Sequence, residues 1–359
     1  MMTLGGGLTA NETRSIDSNR EEGIMPQLFM PGGHDGVFAA LQGFTRAHAK
    51  DVCLATDPVY LTARRHHPGR VVALVSGGGS GHEPLHSGFL GPGLLDAVAP
   101  GQVFASPHNR QVFEASRAVA LPGGVLHIVK NYTGDRINFG IAEERLRAEG
   151  IHVGRVLVDD DVATESTLTA TGRRGTAATV LVEKIVGAAA DLGWTLGELE
   201  RLGNRVSAQS RSIAVASESL TSVHTSTRLF DLPAGEIEYG VGIHGERASS
   251  SISFTGLNEL ISRMLDDILC SLGDVGTRGM IFLVNGLGSA TPLELYAVLN
   301  IALNQLAERG IEVAACLART LVSALDMHGF SLTLLDVAED SWLDLWYANA
   351  AAPGWIGGR

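Results

Sequence analysis

A chain of 359 residues, 45% of them hydrophobic, holds enough apolar material for two domains with separate cores. Its formal net charge of -12 argues against nucleic acid or an anionic membrane as the main partner. No segment has the apolar length to span a bilayer, and the opening MMTLGGGLTANETRSIDSNREEG lacks a signal-peptide core; Cys53, Cys270 and Cys316 stand far apart with no Cys-x-x-Cys pair, as reduced thiols of a cytoplasmic protein do.

Residues 1–24 read as a flexible tail, with order expected from Met25. Phe38, Leu41, Phe44 and His48 recur at helical spacing and predict an amphipathic helix over 36–49. Residues 57–60 read as a short extended piece. Val71 to Val75 form a continuous apolar, β-branched run, which predicts a buried strand. Residues 76–81 then place four glycines in six positions, which predicts a turn, and Pro84 suits the first turn of a following helix. Strand, glycine turn and helix is how open α/β sheets build sites at the carboxyl ends of their strands. The composition fits a ligand site or a tight structural turn, and His82 beside it favours the ligand. The familiar glycine motifs fail. His82 stands where a dinucleotide fingerprint needs its third glycine, and where a nucleophile elbow centred on Ser80 needs its last. No Gly-Lys-Ser/Thr follows, so there is no P-loop here.

Residues 88–101 are loop-rich, and 104–110 run extended into a helix that ends near 120. A second buried strand covers 125–129, with KNYTGD (Lys130 to Asp135) as the loop at its end. A helix over 139–149 is closed by Gly150, and a third strand over 153–158 ends in Asp159-Asp160-Asp161. Residues 176–192 form a strongly apolar helix. Strands alternating with helices predict a largely parallel sheet. A second unit follows Leu192, with helices over 196–209 and 258–270 and strands over 212–216, 237–241 and 280–284. Thr291-Pro292-Leu293-Glu294 is a capping box with proline at the first helical position, so another helix starts there. The last strands are expected over 311–317 and 330–337. The expected fold class is α/β: two α/β domains, 25–192 and 193–359, each a mostly parallel or mixed sheet flanked by helices.

GGGSGHEP (Gly77 to Pro84) closely resembles the glycine-rich motif of the dihydroxyacetone kinase family, in its sugar-binding K subunit or domain. KNYTGD, DDDVA with GRRG (Asp159 to Ala163, Gly172 to Gly175) and YGVGIHGE (Tyr239 to Glu246) support the resemblance in order and rough spacing, and it runs from about Gly36 to the C-terminus. The resemblance implies that His244 adds to the carbonyl of a short ketose as a covalent hemiaminal. It implies that Asp135 takes the proton of the attacking hydroxyl, that Lys130 donates a hydrogen bond to the sugar, and that His82 polarises the carbonyl and exchanges protons. Gly79, Ser80 and Gly81 would present backbone and hydroxyl groups to the sugar.

Each residue also has a plainer reading. Glycines on both sides of His244 let a loop expose an imidazole, which is a nucleophile when neutral, but an isolated histidine there would be a surface turn residue. Asp135 could be a general base or a turn aspartate bonding its own backbone. Lys130 could be a solvated strand-end lysine, and His82 a helix cap. Asp159, Asp160 and Asp161 raise a divalent-metal site, yet no second acidic cluster joins them, so a loop and cap role is favoured and no metal is expected. Arg173 and Arg174 receive no role from the sequence. His66 and His67 lack the spacing of two ligands on one helix face and read as surface residues.

Departures from the family pattern stand at His108-Asn109-Arg110 and at Arg247, and they leave the sugar open between dihydroxyacetone and a four-carbon ketose such as erythrulose. Full ATP-dependent members carry a further helical nucleotide domain after the sugar half. The expectation is therefore a separate L-type subunit carrying ADP or ATP with magnesium, no cofactor in this chain, and a homodimer by resemblance. A sugar sensor without transfer activity is the alternative, as is, less well, a hydrolase built on Ser80.

Overall fold

The computed structural model describes residues 28–31, 34–164, 172–247 and 251–355. The tail over 1–24 and the onset at Met25 lie outside the described residues. The chain builds two six-stranded mixed sheets. The first holds β1 (Val52–Thr56), β2 (Val59–Ala63), β3 (Ala73–Ser80), β4 (Ala97–Val103), β5 (Val125–Lys130) and β6 (Val153–Val158), in the order β1-β2-β4-β3-β5-β6. β4, β3, β5 and β6 run parallel, and the β1–β2 hairpin adds antiparallel at one edge. Side chains alternate across these strands. Ala73, Val75 and Val125 face α2 (Asn109–Val119), while Val129 packs with α2 and α3 (Thr133–Ala148). Leu74, Leu126, Ile128 and Val156 face the opposite layer, which includes α1 (His34–Ala47), α4 (Ala178–Asp191) and α5 (Leu196–Ala208).

The second sheet holds β7 (Ser210–Glu218), β8 (Glu236–Tyr239), β9 (Ser251–Ser253), β10 (Met280–Gly286), β11 (Val313–Arg319) and β12 (His328–Asp336), in the order β11-β10-β12-β7-β8-β9. Only β10 and β11 are parallel. α6 (Leu257–Leu272) and α7 (Pro292–Glu308) cover one face. The expected capping box is present: Thr291 Oγ1 accepts from the Glu294 amide, and the Glu294 carboxylate accepts from the Thr291 amide. The other face meets α4. Every residue of α4 from Ala178 to Ala190 is buried, because the helix packs on β3, β5 and β6 on one side and on β7 and β12 on the other. That is why its sequence is apolar on nearly every side, with Glu183 and Lys184 buried among the apolar residues. One core cluster therefore joins Leu74 and Ile128 of the first sheet to Ile281 and Leu335 of the second. α5 packs on β6, so the chain changes sheets between α5 and β7, and α8 (Ser341–Tyr347) returns to α4.

Two expectations at the glycine stretch are corrected. Residues 76–80 are not a turn; they continue β3, paired with β5 as far as Ser76 and with β4 as far as Ser80. The ladder overrides glycine's weak strand preference because this is the central strand. A Cβ at Gly77 would collide with the Ala99 carbonyl, and one at Gly79 would lie 2.6 Å from Phe104 Cα, so the glycines serve close approach. The turn comes at Gly81, whose φ is +101°. No α-helix follows Pro84. The Glu83 carboxylate folds back onto the Gly81 amide at 3.0 Å, the backbone of residues 81–85 bonds the loop at 321–325, and only a short 3-10 turn forms at Ser87–Phe89. Strands β1, β4 and β9 and helix α8 were not anticipated.

Candidate active site

The site lies where the carboxyl ends of β3 and β5 meet two loops of the second sheet. β3 delivers Gly79, Ser80, Gly81 and His82. The turn is laced to the second sheet: Leu325 N–H donates to Gly81 O at 2.9 Å, and Ser323 N–H to His82 O at 3.2 Å. His82 is fully buried. Its Nδ1 lies 2.8 Å from the Ser323 carbonyl, which can only accept, so Nδ1 carries the proton. Nε2 is then the bare nitrogen, and it is buried without a protein partner. Burial, with His244 and Lys130 nearby, holds the His82 ring well below the usual histidine range, so it is neutral at pH 7.

His244 arrives on the loop after β8. Its ring centroid is 4.9 Å from His82, 4.6 Å from Tyr132 and 5.3 Å from Phe104. Nδ1 is 2.8 Å from Glu246 Oε1, and the His244 amide donates to Glu246 Oε2 at 3.0 Å. With Nδ1 bonded to the carboxylate, Nε2 is the nitrogen left for a ligand. Burial raises the Glu246 carboxyl, but His244 and Arg174 more than offset it and hold it at about 2, so it stays charged. Arg174 ties this loop to the first sheet, donating to Asp161 at 2.7 Å and to the Gly240 carbonyl at 2.9 Å.

Lys130 ends β5 and is 1% exposed; its Nζ is 2.7 Å from His86 Nε2. Burial pushes the Lys130 amine down, against the pull of Asp135 and Glu183. Asp135 does not end a loop, as expected, but sits in the first turn of α3, where the helix N-terminus favours a carboxylate. It is 3% exposed and its Oδ1 has no protein partner. Ser80 is a partial departure: its hydroxyl donates to the Gly101 carbonyl at 2.7 Å, so its backbone is what remains for a ligand. His82, Lys130, Asp135 and His244 thus converge on one buried place. Two histidine rings 4.9 Å apart, a lysine held by His86 and a carboxylate oxygen without a protein partner make a site that fits a small polar molecule.

Asp159 to Asp161 take the loop and cap role. Asp160 accepts from the Thr176 amide at 2.6 Å and the Ala178 amide at 3.0 Å, at the start of α4. Arg173 donates to the Asp159 carbonyl at 2.6 Å.

Residues 42–354 match the family model described as the Dak1 domain. The chain belongs to the Dak1 family. It is 40% identical over 339 residues to the dihydroxyacetone-binding subunit DhaK of the PEP-dependent dihydroxyacetone kinase of Escherichia coli (strain K12), a match that covers 87% of this chain and 94% of that one. The dihydroxyacetone kinase from C. freundii, solved with AMP-PNP and Mg2+, superimposes with a TM-score of 0.83 at 33% identity, covering 92% of this chain and 61% of that one. The dihydroxyacetone kinase operon co-activator Dha-DhaQ superimposes with a TM-score of 0.85 at 30% identity, covering 89% of this chain and 98% of that one.

Within this Dak1 site, sequence reasoning missed four contributors. Glu246 stood two residues from His244 in the quoted motif, and Arg174 stood in GRRG; both were visible but unassigned. Tyr132, inside KNYTGD, was likewise quoted but unassigned, and Phe104, which with it walls the His244 ring, carries no signal beyond being aromatic. No helix among the described residues is long and apolar enough to cross a membrane.

Proposed function

We propose that this chain is the sugar-binding subunit of a dihydroxyacetone kinase. It holds the ketose through His244 and delivers its terminal hydroxyl to a phosphoryl donor on a separate L-type subunit. The observation that carries this is the facing pair of imidazoles, each with Nδ1 committed to an acceptor and Nε2 left over. His244 Nε2 attacks the carbonyl carbon, a C–N bond forms, and the carbonyl oxygen takes a proton to become a hydroxyl. That proton comes from solvent by way of His82, whose bare Nε2 picks it up and hands it on, and the His244 Nδ1 proton leaves along Glu246 to solvent, so one proton is gained, one is lost, and Glu246 ends as the carboxylate it was. When the adduct collapses the same path runs in reverse. A polyol has no electrophilic carbon, so it is not held this way. Asp135 takes the proton of the terminal hydroxyl as that oxygen attacks phosphorus and the bond to the donor breaks.

The E. coli relative is matched over 94% of its length and is itself a binding subunit, which supports a separate partner subunit. ADP or ATP with magnesium on that partner, and a cytoplasmic homodimer, are part of this proposal. Erythrulose remains the second ketose to assay. A non-catalytic regulatory reading is favoured by the likeness to the co-activator, and turnover with an L-type subunit separates the two. Crystals soaked in dihydroxyacetone are expected to show continuous density from a ring nitrogen of His244 to the central carbon, absent with glycerol and absent in His244→Ala. A ketose held only by hydrogen bonds, with the ring turned away, refutes the covalent assignment.

A further inference from the structure

We propose that His86 and Glu183 are positioning residues for Lys130, a buried relay that keeps its amine charged and aimed at the sugar. This rests on the reading of Lys130 as the sugar's hydrogen-bond donor.

Three side chains from three elements make one hydrogen-bonded line. Lys130 Nζ is 2.7 Å from His86 Nε2, and His86 Nδ1 is 2.6 Å from Glu183 Oε1. Lys130, His86 and Glu183 are all buried, Glu183 completely. Ser76 completes the geometry: it donates to the Ile128 carbonyl at 2.8 Å, so its oxygen accepts from His86 Nδ1 at 3.0 Å. Glu183 stands on α4 among apolar residues, and its Oε2 has no protein partner. A carboxyl placed there is costly unless it serves a charge. The β3 strand reserves the space. A Cβ at Gly78 would collide with Lys130 Nζ and come within 3.4 Å of His86 Nε2.

The line admits two proton arrangements of equal net charge. In one, the Lys130 ammonium donates to His86 Nε2, and His86 Nδ1–H donates to the Glu183 carboxylate. In the other, one proton has moved from Nζ to Nε2 and one from Nδ1 to Oε1, leaving an amine and a carboxylic acid. Burial alone favours the second, since it pushes Glu183 up to about 8 and Lys130 down. The mutual attraction of the two charges favours the first. Asp135 adds to the first, because it pulls the Lys130 amine upward from α3, ahead of Glu183. His82 and His86, the remaining titratable groups against Lys130, are held neutral by burial and do not oppose it. An ammonium has three donors and no acceptor, so giving one to His86 leaves two for the sugar.

The test uses the intact chain, whose lysines are Lys50, Lys130 and Lys184, labelled with 13C at lysine Cε so that each amine titrates separately by NMR. Glu183→Gln keeps the shape and removes the charge. Its Lys130 midpoint is expected to fall by about one to three pH units, the usual effect of losing a close opposite charge, with exposed Lys50 unmoved. Affinity for dihydroxyacetone is expected to fall about tenfold, the equivalent of one such unit. His86→Gln can accept from Lys130 and donate to Glu183 through one amide, so it should restore most of what His86→Leu loses. That pair also carries the test if Glu183→Gln fails to fold. A Lys130 midpoint unmoved in Glu183→Gln, or equal in His86→Gln and His86→Leu, overturns the relay. If the midpoint moves while the wild-type chain binds no ketose, the relay stands and the proposed function is at fault.

Discussion

The two sheets contribute to the site in different ways. The first is mostly parallel, so the carboxyl ends of adjacent β3 and β5 point to one rim and place His82, Lys130 and the start of α3 with Asp135 side by side. The second is mostly antiparallel, so its strand ends alternate and it can lend only loops: one with His244 and Glu246, one with the Ser323 carbonyl that fixes His82. On the proposed function, Asp135, which takes the hydroxyl proton during transfer, sits with the first sheet, and His244, which bonds the carbonyl, sits with the second. If this division holds, damage to the first should cost rate, and damage to the second should cost selectivity.

The largest effect is expected from Asp135→Asn. The amide keeps the shape in the first turn of α3 but cannot accept the proton. Phosphoryl transfer with the partner subunit should drop by about two orders of magnitude or more, the usual worth of a general base. Ketose affinity, measured by calorimetry, should hold. A rate near that of the wild type would reduce Asp135 to a helix-terminus residue.

A smaller effect is expected from Glu246→Gln. The neutral side chain still accepts from His244 Nδ1, but the bond loses its charge assistance, a difference of about 1.4 kcal/mol or tenfold. Preference for ketose over glycerol should fall about tenfold, while the rate at saturating ketose stays within a factor of two or so. If that rate instead collapses as in Asp135→Asn, the sheets do not divide the work.

Much of this was legible before the fold. The apolar runs at 125–129 and 280–284 are central strands, and periodicity found them because both faces are buried; the run at 71–75 enters its central strand only at Ala73, with Val71 exposed before it. Edge strands β1 and β9 are short and half exposed, so they left no such run. The glycine stretch was misread because glycine signals turns, whereas here its lack of a side chain lets β3 pass close to Phe104 and Lys130. The candidate side chains His82, Lys130, Asp135 and His244 were picked out through their motifs. Their supports were not: Glu183 lies about a hundred residues from His86 and looks, in sequence, like one charge on an apolar helix. The division at Leu192 reflects the break after α4, although α5 still packs on β6.

The smallest effect concerns acid stability, and it also separates the sheets. Among the described residues the buried histidines are His82, His86 and His127, all on the first sheet or the turn after β3. His127 is far from the chemistry in role: it packs edge-on against Phe139 at 5.2 Å and meets Ser116 at 2.9 Å. Burial lowers its pKa, Glu143 pulls the other way, and Arg155 and Arg147 add to the lowering. An unfolded chain therefore binds this proton below about 6.5, where the folded chain still refuses it. Its contribution to stability is full above that value and is lost as pH falls toward the lowered folded value. His127→Gln keeps a polar side chain against Ser116 and Glu143 but cannot titrate. It should melt below the wild type at pH 7.5, and the gap in Tm should narrow by pH 5.5. A gap at His127 that stays constant across this range would mean that its ring titrates alike in folded and unfolded chains, and that the acid sensitivity lies elsewhere.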